Sequence, residues 1–154
     1  MKIFEDSGKH EIKIKIKGKL DSFNYLFYNC TDLIGIVGYF NINDIVNFNY
    51  MFYNCYSLIN IDALSNWNVS NGKNFSSLFY NCYSLANIDA ISNWNVSNGI
   101  DFNSMFYNCY SLTNINALTN WNVRNGNYFN FMFYNCSSLT NINALNNWNV
   151  SQGK

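Results

Sequence analysis

The chain has 154 residues, of which 49% are hydrophobic, 19% aromatic and 12% charged, with no proline and a formal net charge of zero. That is the length of one domain. It is too apolar for disorder, and its apolar runs are too short to span a membrane. Zero net charge also argues against a nucleic-acid partner, whose phosphates call for a basic surface.

Thirty-two residues are asparagine, and the other common residues share its AT-rich codons, so the composition partly reflects an AT-rich genome. Residues 1–21 carry a net +2, from six lysines against Glu5, Asp6, Glu11 and Asp21. The remainder carries −2, from Lys73, Arg124 and Lys154 against five aspartates. In the first segment Lys2-Ile3-Phe4, a turn at Asp6-Ser7-Gly8-Lys9, and an Ile12/Ile14/Ile16 alternation read as a β-hairpin. Its lysines suit an exposed sheet end, where charge discourages edge pairing. We assign residues 1–21 as an amino-terminal cap. This lysine-isoleucine alternation does not read as a secretory signal, which leaves a cytoplasmic location as the default.

From residue 22 the chain repeats. Cys30, Cys55, Cys82, Cys109 and Cys136 are separated by 25, 27, 27 and 27 residues, and a fixed period of this size marks a solenoid. Phe75, Leu78, Phe79 and Cys82 lie at i, i+3, i+4 and i+7, one face of a helix of about two turns. The same face recurs from Phe23, Phe48, Phe102 and Phe129. After each predicted helix comes Leu85-x-x-Ile88-x-Ala90-x-x-Asn93 and its equivalents, the strand and asparagine of a leucine-rich repeat. The asparagine is expected to satisfy backbone groups where the chain leaves the sheet. Trp94-Asn-Val96 alternates along a return limb. Asn71-Gly72, Asn98-Gly99 and Asn125-Gly126 offer the positive φ of a turn. The fold class is therefore α/β: a cap, then a five-repeat leucine-rich solenoid over residues 22–154, with a short helix and a strand per 27-residue unit. The carboxyl end has no cap, so end-to-end self-association is open to it.

Met105-Phe-Tyr-Asn-Cys-Tyr-Ser-Leu112, running on through Ile115, Ala117 and Trp121, resembles the BspA-like bacterial surface leucine-rich repeats of 26 residues, roughly M-F-x-x-C-x-S-L-x-x-L-x-L-S-x-W-x. The resemblance covers about residues 22–154. It implies surface exposure and adhesion or partner binding, without catalysis. The unit here is one residue longer, with an Ala-Leu or Ala-Ile pair (Ala63-Leu64, Ala90-Ile91) where the family usually has a single leucine.

Helices packed about 8–10 Å apart hold the cysteines too far apart for disulfides or a tetrahedral metal, so they read as buried free thiols. The only histidine, His10, lies in the cap, and no nucleophile has a general base at a workable spacing. Neither a catalytic site nor a cofactor is expected. Two candidate surfaces remain. Asn60/Asp62, Asn87/Asp89, Asn114/Asn116 and Asn141/Asn143 alternate outward from the predicted strands, as a polar concave face for a protein or glycan or as plain solvated surface. Tyr53, Tyr80, Tyr107 and Tyr134, with Tyr28 before them, form an aromatic ladder at the helix flank, suited to adhesion or simply packed between neighbours. Whether Leu64, Ile91, Leu118 and Leu145 or the alanines before them face the core stays open. The expected function is a non-catalytic protein-interaction or adhesion module; the alternative is a structural spacer or self-stacking segment.

Overall fold

The computed structural model describes residues 21–38 and 42–153. The hairpin expected over 1–21 lies outside them, apart from Asp21. The chain beyond is wound into stacked coils, one per repeat: coil 1 (22–46), coil 2 (47–73), coil 3 (74–100), coil 4 (101–127) and coil 5 (from 128).

The predicted helix and strand do not form. Among the described residues there is no α-helix, only the 3₁₀ turns Asp62–Asn66, Asp89–Ile91, Asn116–Leu118 and Asn143–Leu145. Pairing between coils is limited to isolated parallel bridges, in a column through Ser22, Asn47, Asn74, Asp101 and Tyr128 and at Gly35 with Asn60. This is not an α/β leucine-rich-repeat architecture.

Coil 3 shows why. The amides of Leu78, Tyr80 and Cys82 bond back three residues to Phe75, Ser77 and Phe79, at 3.3, 3.3 and 3.1 Å. The amides between them, of Phe75, Ser77, Phe79 and Asn81, point out of the coil and donate to Asp101, Asn103, Met105 and Tyr107 of coil 4 at 2.8–2.9 Å. Half the amides thus close overlapping turns and half bind the next coil. An α-helix would satisfy every interior amide within itself and hold its neighbour 8–10 Å away. The winding is possible because Ser77 and Asn81 sit at φ 53° and 58°, as do their counterparts in every repeat. That left-handed region interrupts any helix, and asparagine tolerates it better than most residues.

The i, i+3, i+4, i+7 face is nevertheless inward: Phe75, Leu78, Phe79 and Cys82 are each at most 1% exposed. Because adjacent coils lie close, identical residues touch. Phe27, Phe52, Phe79, Phe106 and Phe133 form one stack, with ring centroids 5.3–5.5 Å apart. Phe48, Phe75, Phe102 and Phe129 form a second at 5.3–5.5 Å. Trp94, Trp121 and Trp148 form a third at 6.3–6.4 Å, and each indole Nε1 donates to a carbonyl of the preceding coil.

The open question at the Ala-Leu pair resolves through the 3₁₀ geometry. Leu85, Ile88 and Ile91 are all buried, as are Leu58, Ile61 and Leu64, and the Ile91 amide bonds back three residues to Ile88 at 3.0 Å as the 3₁₀ turn closes. Leu118 is buried too, while Leu145 in coil 5 is half-buried. Ala63 and Ala90 are half-buried beside them, and Ala117 and Ala144 are buried. The repeat asparagines Asn66, Asn93, Asn120 and Asn147 are exposed rather than built into the coil. The Asn-Gly pairs also serve differently from expectation. Gly72, Gly99 and Gly126 do not take positive φ; a Cβ at Gly99 would lie 2.3 Å from Phe102 Cζ and 2.9 Å from the Val96 carbonyl. These glycines let the return limb press against a buried ring.

Candidate functional site

The same stacking builds the outer surface. Tyr28, Tyr53, Tyr80, Tyr107 and Tyr134 follow the inward phenylalanines by one position and stack at 5.1, 4.5, 4.5 and 4.7 Å. The predicted flank ladder is therefore brought together, with Tyr53, Tyr80 and Tyr107 half-buried and Tyr28 and Tyr134 exposed. Beside it runs a column the sequence reading missed: Tyr56, Tyr83 and Tyr110 stack at 4.7 and 4.9 Å. Its signal was the Cys-Tyr-Ser that recurs in coils 2 to 4. A further pair, Tyr25 and Tyr50, stacks at 5.0 Å and leans on Tyr28 and Tyr53.

Partial burial, then the adjacent tyrosines Tyr53 and Tyr107, push Tyr80 up to about 12. Tyr53 and Tyr83 are raised for the same reasons, burial first. The rings in the main column lie within 5–19° of parallel. Their π faces are turned toward each other, and what meets solvent is a row of ring edges and hydroxyls. A sugar or a cation needs an aromatic face; an edge row offers apolar area and hydrogen bonds at strand spacing.

One position further along, Asn29, Asn54, Asn81, Asn108 and Asn135 form a continuous carboxamide ladder. Each Nδ2 donates to the Oδ1 of the preceding coil, at 2.7, 2.7, 2.7 and 3.0 Å. This second missed feature anchors the tyrosine column on its left-handed residues.

The predicted polar face is on the surface: Asn60, Asp62, Asn87, Asp89, Asn116, Asn141 and Asn143 are exposed and Asn114 half-buried. Its geometry differs from alternating strand residues, because the side chains are engaged locally. Asn87 Oδ1 accepts the Asp89 amide at 2.6 Å and its Nδ2 donates to Asp89 Oδ2 at 3.0 Å. Asn60 and Asp62 repeat this at 2.9 and 3.2 Å. Asn114 and Asn141 likewise accept the amides of Asn116 and Asn143. These residues start the 3₁₀ turns, which uses much of their hydrogen-bonding capacity.

The cysteines are free thiols, though the distance argument from the sequence does not hold at this coil spacing. Each buried thiol donates to a phenylalanine carbonyl of the preceding coil: Cys55 to Phe27, Cys82 to Phe52, Cys109 to Phe79 and Cys136 to Phe106, at 3.1–3.2 Å. Burial pushes Cys55 up to about 12 and Cys136 to about 11, with Cys82 and Cys109 well above the ordinary thiol value. A protonated thiol is a poor nucleophile and metal ligand. Only Cys30 is exposed. Among the described residues no three His, Cys, Asp or Glu side chains gather as a metal site, and no helix is long and apolar enough to cross a membrane.

A family profile described as Mycoplasma protein of unknown function, DUF285, matches residues 6–90 and again 86–154. The chain belongs to that family. No curated protein and no solved structure matches the chain.

Proposed function

We propose that this DUF285 member is a non-catalytic protein-interaction module that binds through its tyrosine columns. The observation that carries the reading is the pair of adjacent stacks, Tyr53/Tyr80/Tyr107/Tyr134 and Tyr56/Tyr83/Tyr110, repeating at 4.5–4.9 Å on one side of the coils. Tyrosine held rigid by its neighbours gives contact area with little side-chain entropy left to lose. Because edges and hydroxyls face outward, the surface suits a polypeptide better than a glycan. The resemblance to adhesive surface repeats points to the same class of function, with a surface protein or host protein as partner.

The test is a comparison of immobilised proteins in capturing partners from a cell extract. Tyr80→Ser with Tyr107→Ser is expected to lose the proteins retained by the wild type, with each variant's fold checked by thermal unfolding. Asn87→Lys with Asp89→Lys is expected to retain them. Equal capture by the wild type and the folded tyrosine variant sinks the reading. Loss in the Asn87/Asp89 variant alone moves the site to the polar face.

A further inference from the structure

Coils 2, 3 and 4 each carry, on the return limb, an asparagine followed by glycine: Asn71-Gly72, Asn98-Gly99 and Asn125-Gly126. In a loose chain this pair reacts without a catalyst. The glycine nitrogen, unhindered by a side chain, attacks the asparagine Cγ. The new N–Cγ bond closes a succinimide as the Cγ–Nδ2 bond breaks, and ammonia leaves with the proton from the glycine nitrogen. Water then opens the ring at one of its two carbonyls. The product is an aspartate or an isoaspartate, whose main chain runs through the former side chain.

Winding holds both reacting groups. Asn98 is exposed, but its Nδ2 donates to the Ser70 carbonyl of the preceding coil at 2.8 Å. Asn71 and Asn125 are tied in the same way to the carbonyls of Asn43 and Ser97, at 2.6 and 2.8 Å. The attacking amides are held too: Gly72, Gly99 and Gly126 donate to Val69, Val96 and Val123 within their turns, each at 2.8 Å. All three glycines are buried, and a Cβ on any of them would lie 2.3–2.4 Å from the phenylalanine ring three residues on. Cyclisation therefore needs the carboxamide to leave the preceding coil, and the glycine to give up its turn bond and shift against a buried ring.

Neither product fits back. Aspartate at 98 turns an acceptor toward the Ser70 carbonyl, where asparagine places a donor. Isoaspartate there adds a methylene to the main chain beside Gly99, where the Phe102 ring leaves no space for one more carbon.

We propose that Asn71, Asn98 and Asn125 are conditional modification sites: silent in the wound coils, deamidated by water when a coil opens, and unable to rewind in the same register afterwards. A lasting opening is thereby converted into a permanent covalent change. The sites lie on the return limb, not in the tyrosine columns, so the inference is independent of the partner-binding reading.

Incubation of the full chain at mildly alkaline pH, in buffer and across a urea series, tests this. Peptide mass spectrometry reads deamidation at each site, and circular dichroism reads the unfolded fraction of the same samples. In buffer the three sites are expected to react at least about a hundredfold more slowly than in concentrated urea, a factor set by the scarcity of the open state. Through the transition the rate at Asn98 is expected to rise in step with the open fraction. Chain deamidated in urea and returned to buffer is expected to unfold at lower urea than chain exposed only briefly, and Asn98→Asp is expected to unfold at lower urea than the wild type. Rates within a few-fold of each other in buffer and in concentrated urea overturn the proposal, as does a rate at Asn98 that ignores the open fraction. Midpoints unchanged by deamidation overturn it as well, because the modified coil then rewinds.

Discussion

Phe79→Ala is expected to cost about 3–5 kcal/mol of folding stability, the range for removing a fully buried aromatic ring. Phe79 has no exposed surface and stacks on Phe52 and Phe106 at 5.5 Å on either side. Its loss removes two ring contacts, each about 0.5–1.5 kcal/mol beyond area burial, and opens a hole between coils too closely hydrogen-bonded to collapse into it. Stacked repeats are stabilised by nearest neighbours, so a lesion in coil 3 is expected to uncouple the coils on either side and broaden the transition. Urea unfolding of the variant beside Tyr134→Ala, an exposed ring at the end of its column, measures the difference. A cost below about 1 kcal/mol for Phe79→Ala contradicts a packed inter-coil stack.

The second large effect is at Asn81. Asn81→Leu is expected to destabilise by about 3–4 kcal/mol, from two lost carboxamide bonds at about 1 kcal/mol each and about 1–2 kcal/mol for a left-handed leucine. Asn81 donates to Asn54 and accepts from Asn108, both at 2.7 Å, at φ 58°. Asn81→Gly separates the two parts, since glycine adopts that φ freely and forfeits only the ladder. The leucine variant is expected to be clearly the less stable in chemical denaturation. If the two are equally stable, the backbone at 81 is not left-handed.

The period, the inward Phe/Leu/Phe/Cys set and the tyrosine column were legible in the sequence because burial pattern follows residue type. Secondary structure was not, because inward positions at i, i+3, i+4 and i+7 arise equally from a helix and from overlapping three-residue turns. The discriminating residue was Asn81 with its counterparts, an asparagine in every repeat at a place where a helix has no use for one. Ile88 and Ile91, both buried and three apart around Asp89–Ile91, likewise pointed to a 3₁₀ turn instead of a strand. Gly99 was misread because close approach and positive φ both demand glycine, and only the position of the Phe102 ring decides between them. The second tyrosine column went unseen because its importance depends on coil spacing, which a helical repeat would have set too wide for rings to touch.

Coil spacing is the claim on which the rest depends, and a nuclear Overhauser experiment on the side-chain amides of Asn54, Asn81 and Asn108 reads it directly. Carboxamides joined at 2.7 Å are expected to give strong cross-peaks between residues 27 apart in sequence. Helices about 8–10 Å apart leave these groups beyond reach, and assigned amides without such cross-peaks contradict the stacked-coil account.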